Sequence, residues 1–215
     1  MSRLLLMCLA MLATAAAACS DPESERIKAT SIPTYDRQTG KLTRLTADLD
    51  KDGRIDAYTY MDGTKVLRSE IDANEDGRIE RWEVHGSDEH NGEVVRVAVS
   101  REDNGKADTW IYAGADGEIA RAEISSEQDE NKIDLWEWYE NGELARSEED
   151  ASGDGKVDKW TTFGPRGVIR TLALDEDYDG APDRRLTYGA TGKLLSIESE
   201  PDGRGGFKRK METGS

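Results

Sequence analysis

The chain repeats itself about every 25 residues, and that period constrains its fold more than any other feature. Each unit opens on an acidic loop. The first is Asp48-Leu-Asp50-Lys-Asp52-Gly53-Arg-Ile-Asp56. It runs into Ala57-Tyr58-Thr59-Tyr60, a turn at Asp62-Gly63, and a second segment from Val66 to Ile71. The next loop follows at once, Asp72-Ala-Asn74-Glu-Asp76-Gly77-Arg78-Ile79-Glu80. Gly53, Gly77, Gly105, Asn131, Gly155 and Gly180 mark successive units, at spacings of 24, 28, 26, 24 and 25. The long interval contains Ser87 to Asn91, a turn insertion. Tyr35 to Ala47 makes a half unit at the front.

Within a unit the apolar residues alternate, which is the period of a strand. Asp108, Trp110 and Tyr112 sit at i, i+2 and i+4, as do Asp134, Trp136 and Trp138, so each set shares one face. Asp62-Gly63, Asp116-Gly117 and Asn141-Gly142 are hairpin turn dipeptides. Ile119/Arg121/Glu123 and Leu144/Arg146/Glu148 line the second strands, where an Arg can stack on a neighbouring ring. No stretch after Cys19 has helical apolar spacing. One hairpin cannot bury its aromatic face, but a row of them can. The expected fold is all-β: an elongated, twisted, solenoid-like array of antiparallel β-hairpins with acidic loops between units. Propeller blades need about 40 residues and four strands, which is longer than this period. The expected divisions are 1–18 as a leader, 19–33 as a tether, 34–200 as the repeat domain, and 201–215 as a degenerate tail.

Composition sharpens this picture. There are 45 Asp and Glu against 29 Lys and Arg, for a net charge of −16. Leu, Ile, Val and Phe make up about 16% of the residues after Ala18, a level usual in disordered chains. Such a chain repels phosphate, which excludes nucleic acid as a partner. Trp82, Trp110, Trp136, Trp138 and Trp160 must then supply the core that aliphatics do not, or else form a recognition stripe.

The acidic loops have the donor pattern of a calcium site. Calcium takes six to eight oxygens, and a tight turn can bring alternate carboxylates round one ion, with Gly at the sharp bend. The second loop fits throughout: Asp72, Asn74, Asp76, Gly77, the Arg78 carbonyl, Glu80 and Glu83. This stretch resembles an EF-hand loop across twelve residues. Its flanks read as strands, which implies a use closer to thrombospondin type 3 or dockerin loops. The first loop offers Asp48, Asp50, Asp52 and Asp56. The fifth offers Asp150, Ser152, Asp154 and Asp158, and the sixth Asp175, Asp177, Asp179 and Asp183. These lack the bidentate Glu, so weaker binding or a ligand from the adjacent unit is expected. The third and fourth loops, around Gly105 and Asn131, lack the alternating set and read as metal-free turns. Clustered carboxylates repel one another, and a divalent cation removes that cost.

The N-terminus carries its own signals. Arg3, the apolar run Leu4 to Ala13 and Ala16-Ala17-Ala18 form an export signal too short to span a membrane. Cys19 follows directly and is the one cysteine left after cleavage. Ala16 to Cys19 resembles the lipobox of bacterial lipoproteins, with Ala where Leu is usual. The resemblance implies lipidation of Cys19 and anchoring in the cell envelope. Ser20 in the next position implies the outer membrane. The stretch Trp136-Glu-Trp138-Tyr139-Glu-Asn141-Gly142-Glu-Leu144 resembles bacterial MORN-type repeats, and Tyr35-Asp36 to Gly40-Lys41-Leu42 resembles YD repeats. Both families imply hairpin arrays.

No nucleophile is paired with a base, and no Gly-rich loop precedes a helix. His85 and His90, the two histidines, lie beside the turn insertion and read as surface residues. The expectation is therefore a non-enzymatic, calcium-binding envelope lipoprotein with a structural or binding role. An adhesion module for an envelope protein or glycan comes second, and a carboxylate-based hydrolase third.

Overall fold

The computed structural model describes residues 31–86 and 92–213. The leader, Cys19, the tether up to Thr30 and the insertion with His90 lie outside the described residues. The described chain is all-β and antiparallel. It divides between Glu118 and Ile119 into two compact units.

The first unit holds β1 (Ser31–Tyr35), β2 (Leu42–Ala47), β3 (Ala57–Asp62), β4 (Lys65–Ile71), β5 (Arg81–His85), β6 (Val94–Val99) and β7 (Thr109–Ala113). Each strand pairs with the next in chain order. The second unit holds β8 (Ile119–Ile124), β9 (Leu135–Glu140), β10 (Glu143–Glu149), β11 (Lys159–Gly164), β12 (Val168–Leu174), β13 (Arg184–Tyr188), β14 (Leu194–Pro201) and β15 (Phe207–Glu212), paired in the same way. The hairpin array expected from the repeat is thus present in both units.

Its limits differ from the expected ones at both ends. Strand β1 begins at Ser31, so Ser31 to Pro33 belong to the array and not to the tether. Proline is tolerated there because β1 lies at the edge among the described strands. The tail after Glu200 is not degenerate. Asp202 caps a glycine-rich turn by accepting from the amides of Arg204 (2.7 Å) and Gly206 (3.0 Å), and β15 then pairs with β14. Arg185 sits 4.9 Å over the Phe207 ring and ties the last strand to β13.

Short turns join the strands at one end of each sheet and long acidic loops at the other. At the Asn141-Gly142 turn both residues take positive φ, 51° and 74°, as a tight two-residue hairpin requires. A register shift lies close to most short turns, for example between Tyr60 and Met61 and between Thr162 and Phe163. Such bulges add local twist.

The expected aromatic face forms. In the first unit Tyr58 and Tyr60 stand opposite Glu70 and Arg68, and Trp82 and Trp110 both flank Ala98. In the second unit Trp136 and Trp138 stand opposite Glu148 and Arg146, and Trp160 lies between Glu148 and Ala173. Arg68 lies 4.1 Å over the Tyr60 ring, and Arg146 lies 3.5 Å over the Trp138 ring. These guanidinium groups cover rings that a second layer would cover elsewhere. Of the five tryptophans Trp110 alone is fully buried; the other four are half-buried.

A second buried row runs along the loop end of each sheet, and it is polar. It contains Asp56, Asp72, Ser100 and Asp108 in the first unit, and Ser125, Asp150, Asp158 and Asp175 in the second. These are the first and ninth positions of the acidic loops. The ladder continues through them: the Asp72 amide donates to the Asp56 carbonyl (2.7 Å), and the Asp175 amide to the Asp158 carbonyl (2.8 Å).

Candidate metal sites

The first, second, fifth and sixth loops share one internal hydrogen-bond pattern. The carboxylate at position 1 accepts from the backbone amide of the position 6 glycine. These bonds are Asp48 to Gly53 (2.9 Å), Asp72 to Gly77 (3.0 Å), Asp150 to Gly155 (2.8 Å) and Asp175 to Gly180 (2.6 Å). Position 3 accepts from the amide of position 5, and position 5 from that of position 7, as in Asp50–Asp52–Arg54 at 3.0 and 2.9 Å. Position 9 reaches back to the start of the loop: Asp56 accepts from Leu49 (2.5 Å), Asp158 from Ser152 (2.7 Å) and Asp183 from Glu176 (2.8 Å). The bend needs positive φ at position 6, and Gly53 at 99° and Gly180 at 95° supply it without a Cβ penalty. Position 4 is also left-handed, at Lys51, Glu75 and Tyr178.

This folding brings some of the expected ligands together. Three groups have carboxylate oxygens within 4.8 Å of one another inside a single loop: Asp48/Asp50/Asp56, Asp150/Asp154/Asp158 and Asp175/Asp177/Asp183. Asp52 instead joins Asp50 and Glu75, a residue of the following loop. Asp179 lies outside its loop's triple, accepting from the Ala181 amide at 2.9 Å. The Ser152 hydroxyl donates to Asp150 at 3.3 Å.

The second loop, whose sequence follows the twelve-residue pattern most fully, forms no such triple among the described residues. Glu80 is one methylene longer than Asp, and its carboxylate folds back to accept from the Ala73 (2.8 Å) and Asn74 (3.2 Å) amides. The Asn74 side-chain amide donates to Asp103 at 2.6 Å. Glu83 lies on β5 and pairs with Arg81 at 2.6 Å. Asp76 faces the guanidinium of Arg78 at 3.6 Å, and that same guanidinium reaches the Asp103 carbonyl at 3.3 Å.

Two carboxylates stand out electrostatically. Asp56 and Asp158 are each only 4% exposed, and each has a buried Oδ1 with no hydrogen-bond partner; Asp72 of the second loop, 7% exposed, shares this feature without a carboxylate triple round it. Leaving a charged oxygen unsatisfied in this way costs several kcal/mol at order of magnitude unless a cation meets it. In the sixth loop the Asp179 amide holds the Asp177 carboxyl down, but burial and the charges of Asp179, Asp183 and Asp175 raise it overall. Burial raises its neighbour Asp175, yet the amides of Gly180, Tyr178 and Asp179 outweigh that and leave it lowered. The side chain of Glu75 is 7% exposed; burial and the shared hydrogen bond with Asp52 push its carboxyl up to about 7, against the Arg54 guanidinium that contacts it.

The third loop keeps the backbone path with serine in position 1; the fourth also opens on serine but is one residue longer, with Gln128 its left-handed residue. Ser100 and Ser125 are buried, and the Asn104 (3.2 Å) and Asp129 (3.2 Å) amides donate to their hydroxyls. Neither loop gathers three carboxylates. His85, the last residue of β5, is part-buried, and its Nδ1 donates to the Gly92 carbonyl at 2.8 Å.

Sequence reasoning overlooked Glu75, because position 4 carries no ligand in the twelve-residue pattern. The available signal was the basic residue at position 7 of the preceding loop, whose side chain reaches that far.

No family of known proteins matches the sequence, and no curated protein matches it. Among solved structures, the chain is similar to a mutant TarM from S. aureus in complex with fondaparinux, alpha-GlcNAc-glycerol and UDP, with 14% identity and a TM-score of 0.35 over 49% of this chain and 22% of that one. A second TarM structure gives 14% identity, a TM-score of 0.35 and coverage of 49% and 21%. An assembly of accessory secretory proteins 1, 2 and 3 from Streptococcus pneumoniae gives 10% identity, a TM-score of 0.24 and coverage of 68% and 19%. The chain thus spans about a fifth of the length of these proteins.

Proposed function

We propose that the protein is a non-enzymatic calcium-binding repeat protein, anchored at the bacterial envelope through Cys19, with a structural or binding role. One observation carries the calcium reading: Asp56 and Asp158, each with a buried Oδ1 that no donor meets, are members of the carboxylate triples of their own loops. An all-oxygen donor set of carboxylates, a hydroxyl and loop carbonyls suits a hard cation and calcium above all, since the loops lack the nitrogen and sulfur ligands that zinc prefers. A seated ion neutralises the loop and fixes the joint between two hairpins, so binding energy becomes folding energy. The test is a calorimetric calcium titration of the chain from Ser20 onward, followed by thermal melting with and without chelator. Binding with a rise in melting temperature is expected; no heat and no shift would sink the reading.

Anchoring rests on the Ala16 to Cys19 sequence. Among the described residues no helix is long and apolar enough to cross a membrane. Membrane partitioning of a Cys19→Ser variant tests the anchor, with release into the soluble fraction expected.

A second reading, recognition of an envelope protein or glycan, is favoured by the half-buried tryptophans of the aromatic face. Trp138→Ala separates the two. Lost stability assigns the ring to the core, and lost ligand binding at unchanged stability assigns it to recognition.

A further inference from the structure

The acidic loops are connected to one another by a contact the ion pattern does not require. In the first unit Arg54, at position 7 of its loop, donates to the carbonyl of Glu75 at 3.4 Å and also contacts the Glu75 carboxylate. Arg78 repeats this with the carbonyl of Asp103 at 3.3 Å. In the second unit Lys156 Nζ donates to the carbonyl of Tyr178 at 3.0 Å. The acceptor is always the left-handed residue at position 4 of the next loop. The stems also pack. A Cβ built on Gly105 would lie 3.4 Å from the Arg78 Cβ, and one on Gly180 would lie 3.2 Å from the Lys156 Cδ. At Gly105 and Gly180 the position 6 glycine therefore leaves room for the incoming side chain, while the space at Gly77, in the loop that receives Arg54, is open.

Position 7 is where a loop of this pattern offers its backbone carbonyl to the ion. The residue fixed by a seated cation is thus the same residue whose side chain holds the following loop. A second link runs through position 9. Asp56 and Asp158 each aim a carboxylate oxygen into their own loop and present their carbonyl to the amide of Asp72 or Asp175.

We propose that Arg54 and Lys156 are couplers: a cation seated in 48–56 or 150–158 orders the loop that follows it, 72–80 or 175–183, through these side chains. The inference rests on the calcium reading for the seats, and it explains the second loop. That loop matches the ion pattern in sequence yet gathers no carboxylate triple, and its Glu75 is turned toward its predecessor. It receives order from the first loop.

The test is amide hydrogen exchange on the full-length chain, with calcium alone as the probe. In the wild type, calcium is expected to slow exchange in seat and receiver loops alike, by about 5- to 10-fold in the receiver. Arg54→Met keeps most of the stem but removes the donor. It should leave the calcium effect at Gly53 in place and abolish it at Gly77, while Arg54→Lys restores it. In an Asp183→Asn background, which empties the sixth loop's own triple, Lys156→Met should abolish the calcium effect at Gly180 while sparing Gly155, an independent check should the Arg54 variant fail to fold. Receiver loops that stay protected in both methionine variants overturn the coupling. So does a wild type in which calcium protects the seats alone, a result that leaves the calcium reading intact. Protection nowhere overturns both.

Discussion

Asp56 and Asp108 occupy the same position in two loops of the first unit and end in opposite states. Both are buried, at 4% and 2% exposure, and both accept from an amide at the start of their loop. The second oxygen of Asp108 accepts from the Arg101 guanidinium at 2.6 Å and the Thr109 hydroxyl at 2.7 Å. The second oxygen of Asp56 accepts from nothing. The third loop thus carries its own cation in Arg101, with Ser100 replacing the carboxylate that would crowd it. The first loop has Asp48 and Leu49 in the corresponding places and leaves its charge open. The same backbone path serves as a self-satisfied turn or leaves its charge open to an ion, and two side chains decide which.

That comparison can be broken most strongly by removing calcium. With free calcium at a hundredfold over Kd, a chelator should cost about 2.7 kcal/mol for each seated ion. Asp56→Asn should abolish this loss at its loop, and without calcium it should be neutral or stabilising, because it removes an unmet charge. Chemical denaturation with and without calcium reads both signs. Asp108→Asn should instead destabilise by ~2 kcal/mol in either condition, since it breaks a charge-assisted network and not a metal site. Equal calcium dependence of the two variants would erase the distinction. A transplant sharpens it: Ser100→Asp with Arg101→Ala should give the third loop a seat, read as one added ion in calorimetry. At calcium tenfold over its Kd that seat is worth about 1.4 kcal/mol.

The smallest effect is on pH. The Glu75 carboxyl is raised from 4.5 to about 7, so between these values the folded chain holds a proton that the unfolded chain has lost. Its contribution therefore favours folding below this window and fades as pH rises through it. Calcium-free melts from pH 5 to 8 should show the decline, and Glu75→Gln should flatten it.

Much of this was legible in the sequence because two-residue alternation and a fixed loop spacing are local signals. Asn141-Gly142 sets its turn, and Trp136 and Trp138 set their face, from the chain alone. The ends of the array were harder to read. Phe207 to Glu212 is basic and follows glycines, yet it pairs because β14 offers an open edge and Arg185 a cap for Phe207. The second loop misled for a geometric reason: Glu80 satisfies the ligand pattern by type, but both of its oxygens bond loop amides, where Asp183 spends only one on the equivalent pair. Glu75 was invisible because its role depends on an arginine 21 residues earlier, across a strand pair.

The placement of every long loop at one end of its sheet has a consequence for the ionic atmosphere. Successive loops stand two strands apart, about 10 Å. The Debye length is also about 10 Å at 0.1 M salt. Neighbouring acidic loops in a unit therefore feel each other's charge in dilute buffer and much less in concentrated salt. On the proposed calcium reading, empty loops raise each other's appetite for a cation and filled ones lower it, and ambient salt becomes a dial on how steeply the row loads.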